Sequence, residues 1–225
     1  MSAETKGEAA TSALTFYDLL IEVKSPDLDK RRHVFIMTRM NTEQLVKVFH
    51  QIVATVSSGK ELSSCWRDVL EITGQRGNAA VASVDIQSDL ERVVLQVKNT
   101  LNAEPPSPEI RLLWFGLFDA SCSGQEYAGY YLAGWTNEEQ PNKVGPPPYF
   151  PESRYMRSKV LDAVKGEAVR IGGKSPETYE EFRELDYALM FGAAATLSRF
   201  VALALGVGLP IYVGFDSGDF ARIAN

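Results

Sequence analysis

The chain has 225 residues, 45% of them hydrophobic and 23% charged, which excludes a fibrous repeat and a wholly disordered polypeptide. A chain this long buries roughly 70% of its unfolded surface, so it needs neither a metal nor a disulfide framework to fold. A formal charge of −6 speaks against a nucleic-acid binder that relies on a basic surface.

In chain order, Met1–Ala13 lacks the apolar run of a signal peptide and reads as a flexible polar tail before one domain over 14–225. Leu14–Val23 and His33–Met40 are rich in β-branched and aromatic residues around a polar turn, the pattern of a hairpin. Asn41 then caps a helix. Gln44 stands at the reciprocal capping position, and Leu45, Val48, Phe49, Ile52, Val53 and Val56 recur at helical spacing. Ser64–Ile72 reads as a second helix that stops at Gly74. Asn78–Ile86 alternates weakly and reads as a strand. Ser88 with Glu91 forms another capping box, opening a helix to about Ala103 that Pro105, Pro106 and Pro108 cannot continue.

Two strands follow, Ile110–Phe118 and Glu126–Trp135, joined by a polar loop. The proline-rich stretch Thr136–Glu152 is long enough to suggest a working loop rather than a mere connector. Helices are expected at Ser153–Val164 and Pro176–Glu184, then an apolar helix over about 185–205. That last stretch has the length of a membrane span, but Arg199 lies inside it, and a mid-membrane arginine costs about 3 kcal/mol. Gly192, Ala193, Ala194 and Ala195 instead suit a buried core helix packed closely against a sheet. Gly206 and Gly208 release the chain into a final hairpin, Pro210–Phe215 with Phe220–Ile223. These blocks predict an α+β domain with a mainly antiparallel, hairpin-built sheet and a buried C-terminal helix.

The motifs that resemble chemistry are incomplete. Phe215-Asp216-Ser217-Gly218 resembles the signature of aspartic proteases, but too little chain follows it and no second copy occurs. Gly172-Gly173-Lys174-Ser175 matches the second half of a phosphate-binding loop, with Ala168 where the pattern wants glycine. Pro146-Pro147-Pro148-Tyr149 matches the proline-rich ligand of WW-type modules, or else a stiffened loop whose Tyr149, Phe150 and Tyr155 pack on the edge of the domain. Cys65, Cys122, His33 and His50 form neither a metal-ligand spacing nor a nucleophile with its base. No metal and no cofactor is expected.

What remains is an aromatic central hairpin and acidic loops. Alternation sets Trp114, Gly116 and Phe118 on one face and Phe115 and Leu117 on the other. Asp119, Glu138, Asp216 and Asp219 stand in turns, with Trp135 beside one of them. Converging at one end of the sheet, they would steer a basic protein partner to an aromatic floor. This profile resembles, in type only, bacterial immunity proteins: cytoplasmic, acidic and without catalytic motifs. The expected function is therefore a protein-binding module that occludes a basic toxin or enzyme through Asp119, Trp135, Glu138, Asp216 and Asp219, without nucleic acid or membrane. The alternative is a carboxylate-dependent enzyme acting in a groove under residues 136–152. A self-associating subunit is a third class, marked by a large apolar patch.

Overall fold

The fold is organised around one long helix and the sheet it crosses. In the computed structural model, residues 42–122, 125–137, 146–172, 176–216 and 220–224 are described here. They fall within one compact unit, Arg39–Asn225. The tail and first hairpin expected before Asn41, and the cap at Asn41 itself, lie outside the described residues.

Helices α1 (Thr42–Ser57), α2 (Leu62–Ile72), α3 (Ala79–Ala82) and α4 (Ile86–Ala103) precede a β-hairpin of β1 (Leu112–Cys122) and β2 (Gln125–Trp135). A two-residue strand β3 (Tyr155–Met156), helices α5 (Lys159–Gly172) and α6 (Pro176–Leu205), and the pair β4 (Ile211–Phe215) and β5 (Phe220–Ala224) complete the order. The five strands lie in the order β3-β2-β1-β4-β5. Neighbours are antiparallel except β1 and β4, which run parallel because α6 carries the chain back across the sheet. The fold is α+β, and the expected hairpins form, within a sheet that is mixed.

The inner face of the sheet packs on helices. Phe115, Leu117, Leu132, Ile211, Val213 and Ile223 are almost fully buried. Tyr130 shares a 2.5 Å hydrogen bond with Ser198 of α6, and Tyr187 of α6 stacks on Phe215 at 3.9 Å. The apolar part of α6, Asp186–Leu205, is long enough to cross a bilayer, yet 72% of its most apolar window is buried within the fold. It is a core helix. Its small residues let neighbours approach: a Cβ on Gly192 would stand 2.6 Å from Val69 Cγ1 of α2. Arg199, also buried, donates to the Val56 carbonyl in the last turn of α1, where the helix dipole favours a cation.

Several local expectations are corrected. Asn78–Ile86 is not a strand: the Asn78 side chain accepts from the Ala80 N–H and caps the short α3. Helix α4 begins two residues before Ser88, because Asp85 accepts from both the Gln87 and Ser88 N–H groups at 3.1 Å. The helix expected from Ser153 starts at Lys159, where Ser158 Oγ accepts from the Leu161 N–H. The chain before it makes a turn at Glu152–Ser153 and then forms β3. Pro176–Leu205 is one helix rather than two, since neither glycine nor proline interrupts Glu184–Tyr187.

Candidate functional site

The opposite, outer face of the sheet differs in character. Alternation brings Leu112, Trp114, Gly116 and Phe118 of β1 beside Trp135, Ala133, Tyr131 and Gly129 of β2, with Tyr212 of β4 and Phe220 of β5. Their rings meet one another: Trp114 and Phe220 at 5.5 Å, Phe118 and Tyr131 at 5.9 Å, Tyr212 and Phe220 at 6.0 Å. These are tilted, offset arrangements that suit the ring quadrupoles. Leu112, Trp114, Ala133 and Tyr212 of this face are themselves buried, with Tyr131 and Trp135 half-buried around them.

Two glycines shape the floor. Gly116 lies opposite Tyr131 and Gly129 opposite Phe118, and a methyl group at either glycine would overlap the facing ring. Each aromatic ring thus lies flat across a glycine and covers the backbone that the missing side chain leaves bare. Flattened over Gly116, Tyr131 donates from its hydroxyl to Asp216 Oδ1 at 2.6 Å, spanning from β2 past β1 to the end of β4. Burial first, and then this bond to a carboxylate, push the Tyr131 phenol well above its ordinary value.

The segment that carries β3 adds to the face. Phe150 packs edge-on against Tyr131 at 5.9 Å, and Tyr155 contacts Phe118 and Tyr131. The Arg154 guanidinium lies 3.8 Å from the Phe150 ring centroid and 4.5 Å from that of Tyr155. Three large rings remain exposed: Phe150 at 40%, Tyr155 at 56% and Phe220 at 41%.

The anticipated site residues are not all brought together. Asp216 is exposed, and its N–H donates to the Leu117 carbonyl at 3.0 Å. Asp119 is not in a turn: β1 runs on to Cys122, and Asp119 pairs with Ala128 inside it, so its backbone stands at this same end of the sheet. Trp135 pairs with Leu112 at the opposite end, about 20 Å along the strand at 3.3 Å per residue. Glu138 and Asp219 lie outside the described residues. Phe220 and Arg154 were missed, and Phe150 and Tyr155 were expected to pack on the domain edge but not to belong to the site. The sequence signal available for Phe150 and Tyr155 was a run of aromatic residues in an otherwise polar, proline-rich loop.

The discarded motifs have structural explanations. Tyr149 of the proline motif is buried, pairs with Gly134 and donates to the Glu104 carbonyl at 2.7 Å, so it is part of the fold and not a free WW ligand. The stretch before Gly172 is helix α5, where a phosphate-binding loop requires a strand. Asp216 follows β4, which pairs antiparallel with β5 through a register shift at Ile211–Tyr212. Among the described residues, no group of three or more His, Cys, Asp or Glu could hold a metal ion. No known protein family matches the chain, and no characterised protein or solved structure is similar to it.

Proposed function

We propose that this chain is a cytoplasmic protein-binding module of the immunity type, which neutralises a basic toxin or enzyme by covering it with the outer face of the sheet. The observation that carries this reading is the exposure of Phe150, Tyr155 and Phe220 on the outer face. Large rigid rings of this kind anchor protein interfaces, because they bury much area at a small cost in side-chain freedom. The charge of −6 and the exposed Asp216 at one end of the face supply attraction for a basic partner. The carboxylate-enzyme alternative gains no such observation. Glu104, the carboxylate beside the 146–153 segment, has both oxygens occupied by the backbone N–H groups of Glu152 and Ser153.

The test begins with a partner captured by the wild-type chain and then purified. Its affinity is measured over a salt series for wild type, Tyr155→Ala, Phe220→Ala and Asp216→Lys. Each ring truncation is expected to weaken binding about tenfold or more. Asp216→Lys should slow association and flatten the salt dependence. Three variants that bind as the wild type does would remove the outer face from consideration.

A further inference from the structure

Helix α4 carries a polar stripe. Asp89, Gln96, Thr100 and the C-cap Glu104 follow at spacings of seven, four and four residues, which sets them along one helix face. All four bind the stretch from Glu152 to Val160, which runs from a turn through β3 into the first turn of α5. Glu104 accepts from the Glu152 N–H at 2.9 Å and from the Ser153 N–H and hydroxyl at 3.2 Å. Thr100 donates from its hydroxyl to the Ser153 carbonyl at 2.9 Å. Gln96 donates to the Arg157 carbonyl at 3.1 Å and accepts from the Arg157 N–H at 3.0 Å. Asp89 accepts from the Ser158 hydroxyl at 2.7 Å and from the Lys159 and Val160 N–H groups at 2.9 and 3.0 Å.

The two ends of this clamp differ. The Asp89 side chain is fully buried at the start of α5 and is also paired with Arg92. Stripping its partners would strand a charge away from water, a costly event. Glu104 makes its bonds at the surface, where water replaces a lost partner at little cost. Between the ends, the segment meets the sheet through a few backbone bonds and the rings of Phe150 and Tyr155. β3 pairs over Tyr130 and Tyr131, the Leu132 N–H donates to the Arg154 carbonyl at 3.0 Å, and Tyr149 bridges Gly134.

We infer that Tyr149–Arg157 is a strap that opens as a unit, hinged at Arg157–Ser158, with Glu104 as its latch and Asp89 as its fixed anchor. Opening exposes Tyr149 and Met156, both buried when the strap is closed, so the open form is the minor state. It also withdraws Phe150 and Tyr155 from Tyr131 and bares the β2 edge from Tyr130 to Gly134. The strap thereby switches the outer face between an assembled and a dismantled form. That consequence rests on reading this face as a binding surface; the opening itself does not.

Hydrogen exchange on the full chain, with no partner present, tests the opening. The amides of Leu132, Gly134, Glu152 and Ser153 are expected to exchange together, about 100-fold faster than those of β1, Lys159 and Val160. Glu104→Gln should accelerate the four by about tenfold and leave Lys159 and Val160 unchanged. The Thr100 and Ser153 hydroxyl oxygens lie 3.2 Å apart, so a Thr100→Cys, Ser153→Cys pair can be oxidised across the latch. That bond should slow the four amides to the rate of β1, and reduction should restore their speed. Exchange of the four at the β1 rate in the wild type would overturn the strap, as would equal acceleration of every amide by Glu104→Gln. A strap that opens while the outer-face substitutions leave partner affinity intact would retire the binding reading alone.

Discussion

The two faces of the sheet are built from similar residues and do different work. Tyr130 and Tyr131 are adjacent in β2, yet one points inward to Ser198 under α6 and the other lies outward over Gly116, tied to Asp216 at the surface. Inside, rings such as Phe115 and Phe191 are exposed by 1% or less and hold the helices to the sheet. Outside, Trp114 and Tyr212 are buried as well, at 3% and 8%, while Phe150, Tyr155 and Phe220 stay in water. Aromatic content alone therefore does not distinguish a buried ring from an exposed one.

The comparison breaks most sharply under truncation. Phe191→Ala or Phe115→Ala should cost about 3–5 kcal/mol, through lost transfer energy and a cavity that the surrounding helices cannot fill. Phe220→Ala should cost below about 1 kcal/mol, because water already reaches that ring. Urea unfolding of both sets measures the gap, and equal losses would mean that the outer rings are core. Glycine substitutions come next. On the inner side, Gly192→Ala drives a methyl into buried Val69 and should cost about 1–3 kcal/mol. On the outer side, Gly116→Ala displaces only the far end of Tyr131, whose ring can swing out, at about 1 kcal/mol with loss of the Asp216 bond.

The elements that show in the sequence are those whose apolar period is long and uninterrupted. α1, α2, the apolar part of α6 and the strands β1, β2, β4 and β5 fall in this class, each placed within a few residues, although α6 itself begins at Pro176. α3 did not show, because four residues have no period and Ala80, Val81 and Ala82 imitate alternation. β3 did not show either. Two residues make no pattern, and the side chains that hold them sit some fifty residues earlier in α4. The polar stripe of α4 looks like a solvated face. Its one clue is Asp89, a carboxylate set one turn from Val93 and two from Val97 on the buried side. The outer face was legible only in part. Alternation assigned Trp114 and Phe118 to it, whereas Phe150 and Tyr155 arrive on a segment whose path is fixed by hydrogen bonds that sequence periodicity does not encode. The separation of Trp135 from Asp216 likewise follows from strand register, which a hairpin with an unknown turn leaves open.

The finest test uses the adjacent tyrosines. Tyr130→Phe strips a buried hydroxyl from Ser198 and should cost about 1–2 kcal/mol, whereas Tyr131→Phe breaks a bond at the surface and should cost about 0.5 kcal/mol. The alkaline limb of stability separates them further. Burial, opposed by the Ser198 bond, raises the Tyr130 phenol, while burial and the Asp216 carboxylate together raise that of Tyr131. Both hold their protons more tightly in the folded chain than in the unfolded one. Their contribution is thus intact below the ordinary tyrosine value of about 10 and is lost as pH rises from there towards the raised values. Urea midpoints measured across this alkaline range should fall less steeply in each phenylalanine variant than in the wild type. Tyr130→Phe should flatten the fall more, because its ring lies wholly inside the fold while Tyr131 keeps one side towards water. A wild-type slope in Tyr130→Phe would mean that solvent reaches the layer between α6 and the sheet, and the distinction between the two faces would then be one of degree.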